Sequence, residues 1–146
     1  MGAYERSGVT VAGGFLAAGV HCGIKKEKPD LAMLYSETDC IAAGVFTKNK
    51  VKAAPVLVTK ERVEAGNTLR AVVINSGNAN ACTGKRGMGD ALEMARQTAS
   101  CLGIDALQVA VASTGVIGVP LPMDRVKEGI VAASKSLSPS GGSEAA

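Results

Sequence analysis

Tryptophan is absent from the 146 residues, and only two tyrosines and two phenylalanines occur. Surfaces that stack bases or sugar rings need several aromatic side chains, so single-stranded nucleic acid and carbohydrate are disfavoured as ligands. Histidine occurs once, at His21, and Cys22, Cys40, Cys82 and Cys101 stand 18, 42 and 19 positions apart with no CxxC pair. That spacing offers no zinc-type ligand set, so no metal is expected. No apolar run approaches the roughly 18–20 residues needed to cross a bilayer, and the polar start MGAYERSG is unlike a signal peptide. These absences read as a soluble cytoplasmic protein that has no membrane contact and keeps its thiols reduced. Sixteen Lys and Arg against thirteen Asp and Glu leave a formal charge of +3. The charges are interspersed, so no basic stripe for nucleic acid is present.

What the chain does have is small residues: 23 alanines and 18 glycines, within a 47% hydrophobic composition. This suits one α/β domain over residues 1–146 whose elements approach closely. Residues 9–24 mix apolar side chains with Gly13, Gly14, Gly19 and Gly23, which favours strand and turn over helix. Residues 31–36 and 40–47 read as two strands of an antiparallel hairpin turning at Glu37, Thr38 and Asp39. Val56, Leu57 and Val58 continue as strand or enter a short helix that Gly66 ends.

The second half is more regular. AVVIN at residues 71–75 reads as a buried strand running into the loop SGNANACTGKRG. Met88, Ala91, Leu92, Ala95, Ala99 and Leu102 recur at helical period, with Asp90 and Glu93 in the first turn and Gly103 as the stop. Residues 108–112 form a second strand, with Val109 and Val111 on one face. Pro122 opens a helix with the stripe Met123, Val126, Ile130, Ala133 and Leu137. Residues 138–146 read as a loosely ordered tail. Two strand-loop-helix units after a hairpin predict helices covering a sheet that is not purely parallel.

Both unusual loops lie after a strand and before a helix, where α/β sheets place ligands. Asn75, Asn78 and Asn80 either present amides to a polar ligand or bond their own backbone in a tight loop. Ser113, Thr114 and Gly115 allow a nucleophile, an oxyanion hole built from a hydroxyl and the next backbone N–H, or a turn with locally bonded hydroxyls. His21 adjoins no Asp or Ser in triad order and reads as a packed or surface histidine. Lys25-Lys26 and the lysines between residues 48 and 52 are most simply solvated, although either group could attract a carboxylate or phosphate.

VVINSGNANACTG at residues 72–84 resembles the signature of the ornithine acetyltransferases, the glutamate N-acetyltransferases of arginine biosynthesis. GFLAAGVHCGIKK at 14–26, DLAMLYSE at 30–37, AAGVFTKNKVKAAPV at 42–56 and ASTGVIGVPLPMD at 112–124 resemble further stretches of that family in the same order.

The resemblance implies a layered α-β-β-α sandwich whose mixed sheets are completed by a second chain cut from the same precursor, the pairs forming a heterotetramer of two alpha and two beta chains. It also implies acetyl transfer from N-acetylornithine to glutamate through a threonine acyl-enzyme. No cofactor is implied, though some members use acetyl-CoA as a donor. The self-cleaved Ala-Thr bond does not occur in this sequence, so the nucleophile is expected on the beta chain. Thr114 and Gly115 match the family's oxyanion-hole pair, which is the catalytic contribution expected here. Alternative readings are a related self-processing aminopeptidase or amidase, and a non-catalytic binding or assembly subunit.

Overall fold

A computed structural model describes residues 8–146; the polar start read at residues 1–7 lies outside that range. The elements run β1 (Phe15–Val20), β2 (Leu31–Cys40), α1 (Ala54–Glu64), β3 (Leu69–Asn78), α2 (Gly84–Leu102), β4 (Val109–Val116) and α3 (Met123–Ser136). The strands form one sheet in the order β1-β2-β3-β4. β1-β2 and β2-β3 are antiparallel and β3-β4 is parallel. The mixed α/β class expected from the sequence is therefore present, with one sheet among the described residues.

Strand alternation sends Leu31, Met33, Ala71, Val73, Val109 and Val111 to the face that α1, α2 and α3 cover, where they form the core with Met94, Val126 and Ile130. Two helix ends follow from their residues. Pro55 occupies the first turn of α1, where its missing N–H costs nothing. Gly103 caps α2 in the left-handed conformation at φ 66°, donating its N–H to the Ala99 carbonyl.

Several expectations are corrected. The hairpin partner of residues 31–36 is β1, and of the strand expected at 40–47 only Cys40 is strand, as the last residue of β2, which runs through the expected turn. The β1 register starts at Phe15 opposite Ser36, and β3 starts at Leu69 opposite Cys40. Chain beyond Cys40 has thus outrun both neighbours, and Ile41 and Val45 stand in solvent. Helix α2 begins at Gly84, which removes Asp90 and Glu93 from the first turn. Leu92 is 41% exposed and lies outside the core, on the flank of a stripe that Ala91, Met94, Ala95 and Ala99 fill. Residues 138–146, read as loose, form turns against β1. Ser138 and Ala17 exchange backbone hydrogen bonds of 3.0 and 3.1 Å, and Gly141 is buried on the Ala17 carbonyl.

Candidate active site

The parallel pairing of β3 with β4 brings the two loops singled out in the sequence side by side. Asn75 faces Ser113, Ser76 faces Thr114, Gly77 faces Gly115 and Asn78 faces Val116. Both segments stay in the ladder to its end, so Ser113-Thr114-Gly115 is strand and not a turn. Gly115 holds φ 132°, and a Cβ there would fall 2.3 Å from the Gly77 carbonyl carbon and 2.5 Å from the Asn78 nitrogen. Only glycine permits that approach.

The asparagines follow the local reading. Asn75 and Asn80 are fully buried, and all three amides bond backbone. Asn75 Nδ2 donates to the Asn78 carbonyl (2.8 Å) and Asn80 Nδ2 to the Gly87 carbonyl (2.8 Å). Asn78 Nδ2 reaches the Val119 carbonyl (2.9 Å) and so ties the two loops together. The three Nδ2 groups are thus spent on backbone carbonyls, which holds the strand ends in place. The Asn75 Oδ1 and Ser113 Oγ atoms are buried without a partner among the described residues.

Thr114 points the other way. It lies on the sheet face opposite the helices, exposed, and lines a cavity of about 250 Å³ with Ser76, Ile74, Ala32 and Lys25. Its hydroxyl has no hydrogen-bond partner among the described residues. A hydroxyl so placed can turn to donate to, or accept from, a group entering the cavity.

The connection between β1 and β2 forms the rim of this cavity, and Asp30 organises it. This residue had no role in the sequence reading. Its carboxylate is buried and accepts the Cys22 N–H (2.7 Å) and the Lys25 N–H (2.8 Å), while its own carbonyl accepts the Ser76 N–H (2.8 Å). Burial opposes its charge, but the amides of Cys22, Lys25 and Ile24 prevail and hold the carboxyl below the usual carboxylate range. Burial, with Asp30 beside it, pushes the Cys22 thiol up to about 12.

His21 Nδ1 lies 2.8 Å from the Lys28 carbonyl and 3.3 Å from Asp30 Oδ2. The histidine thus has an acidic neighbour that sequence order did not reveal, but it is not among the residues lining the cavity with Thr114. The only sequence signal for Asp30 was a carboxylate placed just after a glycine-containing loop whose amides need acceptors. Among the described residues no group of three or more His, Cys, Asp or Glu could hold a metal, and no helix is long and apolar enough to cross a membrane.

Comparison with known proteins supplies the context. The ArgJ family model matches residues 16–146. The arginine biosynthesis bifunctional protein ArgJ of Symbiobacterium thermophilum is 60% identical over 142 residues, covering 95% of this chain and 35% of that protein. Its counterpart in Caldanaerobacter subterraneus is 55% identical over 133 residues, or 91% of this chain and 33% of that one. The chain thus spans about a third of the length of these curated relatives. Among solved structures, the ornithine acetyltransferase of Mycobacterium tuberculosis complexed with ornithine superposes with a TM-score of 0.92 at 47% identity, covering 95% of this chain and 76% of that one. ArgJ of Bacillus halodurans gives 0.88 at 42% identity, covering 95% and 73%. With the family model matching nearly all of its length, and the strand-end motifs that carry the resemblance meeting at one cavity, this chain belongs to the ArgJ family.

Proposed function

We propose that this chain is the alpha-chain part of a self-processing acetyltransferase that moves an acetyl group from N-acetylornithine to glutamate, with Thr114 and Gly115 forming the oxyanion hole. The nucleophile in this reading is a threonine that begins the beta chain. Its hydroxyl attacks the acetyl amide carbon, its α-amino group takes the proton, and the C–N bond breaks to release ornithine with that proton. The glutamate amine then attacks the resulting ester, regenerating the threonine and giving N-acetylglutamate. In each step negative charge gathers on the acetyl oxygen, where the Thr114 hydroxyl and the Gly115 N–H would receive it. Acetyl-CoA as a second donor would use the same hole. The enzyme would act in the cytoplasm as a heterotetramer of two alpha and two beta chains, the beta chain laying its sheet over the Thr114 side of this one.

The observation that carries this reading is the unpartnered Thr114 hydroxyl at a cavity wall, beside a glycine pressed against the neighbouring strand. A turn threonine would spend its hydroxyl on nearby backbone. In the assembled enzyme, Thr114→Ala is expected to lower kcat about 10²- to 10³-fold with a smaller change in KM, the usual result of deleting one oxyanion donor. Near-normal kcat in that variant would remove Thr114 from the site. Hydrolysis of N-acetylornithine without transfer to glutamate would instead favour an amidase, and tight assembly without turnover a non-catalytic subunit.

A further inference from the structure

Among the described residues β4 stands at the edge of the sheet, with β3 as its one strand neighbour. The outward peptide groups of such a strand need other partners, and at the buried residues Val109 and Val111 water is not at hand to serve. Helix α1 supplies them. The Thr59 hydroxyl donates to the Val111 carbonyl at 2.7 Å and accepts the Val111 N–H at 3.0 Å. One side chain thus makes the donor and the acceptor contact that an adjacent strand would make. One helical turn on, the buried Arg62 guanidinium donates to the Val109 carbonyl.

A threonine inside a helix is a poor helix former whose hydroxyl ordinarily bonds the carbonyl one turn back. The single hydroxyl proton of Thr59 goes instead to Val111, 52 positions away. The start of α1 is tied to the neighbouring strand as well, because the Ala54 N–H donates to the carbonyl of Asn80, just past the end of β3, at 3.3 Å. Both strands that meet at Gly77 and Gly115 are therefore fastened to one helix. Val111 precedes Thr114 by three residues, and β4 continues from it to Val116 without a shift of register. Thr59 itself is not among the residues that line the cavity with Thr114.

We propose that Thr59 is a positioning residue for the oxyanion hole: by pinning Val111 to α1 it fixes where β4 delivers the Thr114 hydroxyl and the Gly115 N–H. This rests on the acetyl-transfer reading above and deepens it. Stabilisation of a developing oxyanion depends steeply on donor placement, whereas substrate held by other contacts binds nearly as before when one donor drifts. Loss of the pin is therefore felt in kcat and not in KM.

The test uses the processed full-length enzyme. Thr59→Val keeps the shape and removes the hydroxyl, which also lowers stability because two buried groups on Val111 lose their partner. Activity is accordingly compared well below the unfolding midpoint of every variant. It is expressed per active site, counted by the burst of ornithine released from N-acetylornithine without glutamate. Thr59→Val is expected to lower kcat about 10-fold with KM changed less than about 2-fold, and Thr59→Ser to keep most of the activity. In a Thr114→Ala background the same Thr59→Val change is expected to lower kcat only about 2- to 3-fold, because one of the donors it positions is gone. Unchanged kcat per site in Thr59→Val, an equal loss in both backgrounds, or a Thr59→Ser loss as large as that of Thr59→Val overturns the assignment and leaves Thr59 as a cover for the strand edge. Should Thr59→Val fail to mature, the same cycle with Thr59→Cys, whose thiol is a weak donor, decides it. Absence of acetyl transfer in the wild-type enzyme, or near-normal kcat in Thr114→Ala alone, would sink the reading on which the pin rests, a different result from wild-type transfer that Thr59→Val leaves untouched.

Discussion

On the helix-facing side of the sheet Met33, Val73 and Val109 lose all contact with solvent, whereas on the opposite side Leu34 and Val72 are half-buried and Ile74 is 37% exposed. The two faces differ little in side-chain type. AVVIN is apolar without alternation, the pattern of a strand buried on both sides. The helices cover one face, residues 138–146 cover the β1 side of the other, and Thr114 stands on the remainder of that second face. The two faces thus carry similar apolar side chains but differ in how far the described residues cover them, and Thr114 stands on the less covered one.

The comparison breaks most severely at Gly115, where the strand ends serving both faces touch. Gly115→Ala combines an unfavourable backbone conformation with a Cβ driven into Gly77 and Asn78, and is expected to cost about 2–6 kcal/mol. Denaturant unfolding of the variant would measure it, and a loss under about 1 kcal/mol would show that the close approach is not needed.

Side chains on the two faces sharpen the contrast. Met33→Ala on the covered face is expected to cost about 2–5 kcal/mol, by lost transfer energy and a residual cavity. Ile74→Ala on the open face of the chain studied alone is expected to cost less than about 1 kcal/mol. In the assembled enzyme the Ile74→Ala penalty is expected to grow toward the Met33 value. Equal penalties in the isolated chain, or no growth on assembly, would contradict the distinction. Leu92, half exposed on the outside of α2, belongs with Ile74 and not with Met33.

The smallest effect concerns the loop that frames the site. The folded Asp30 carboxyl titrates below its unfolded value, so its stabilising contribution is complete above the ordinary carboxylate range near about 4 and disappears as pH falls through the depressed folded value. Asp30→Asn is expected to lose about 1–3 kcal/mol at neutral pH, by weakening charge-assisted bonds to the Cys22 and Lys25 amides. The gap between variant and wild type is expected to narrow as the pH is lowered below that range. Urea midpoints at several pH values would reveal it, and a pH-independent gap would assign the loss to shape instead of charge.

How much of this was legible depends on the range of the interaction involved. Helices α2 and α3 and the strands β3 and β4 were readable, because 3.6-residue and unbroken apolar patterns report a local geometry together with a buried face. The expected strand at residues 40–47 failed because a strand also needs a neighbour, and the ends of β1 and β3 are set by other parts of the chain. Leu92 was misplaced for a related reason: periodicity names a stripe, but the width of the stripe that is buried depends on what packs against it.

Within the site, the glycines and loop asparagines are legible in the order of residues because turns and close backbone approaches favour them, and Thr114-Gly115 is legible as a motif. The tertiary structure alone decided that residues 75–78 and 113–116 lie side by side, and that the asparagines turn inward. It also decided that Asp30 gathers the preceding loop, and that Lys25, nearly ninety positions before Thr114, lines the same cavity. Those outcomes follow from strand pairing between distant segments, whose free energy comes from burial and hydrogen bonds that do not exist until the chain has closed on itself.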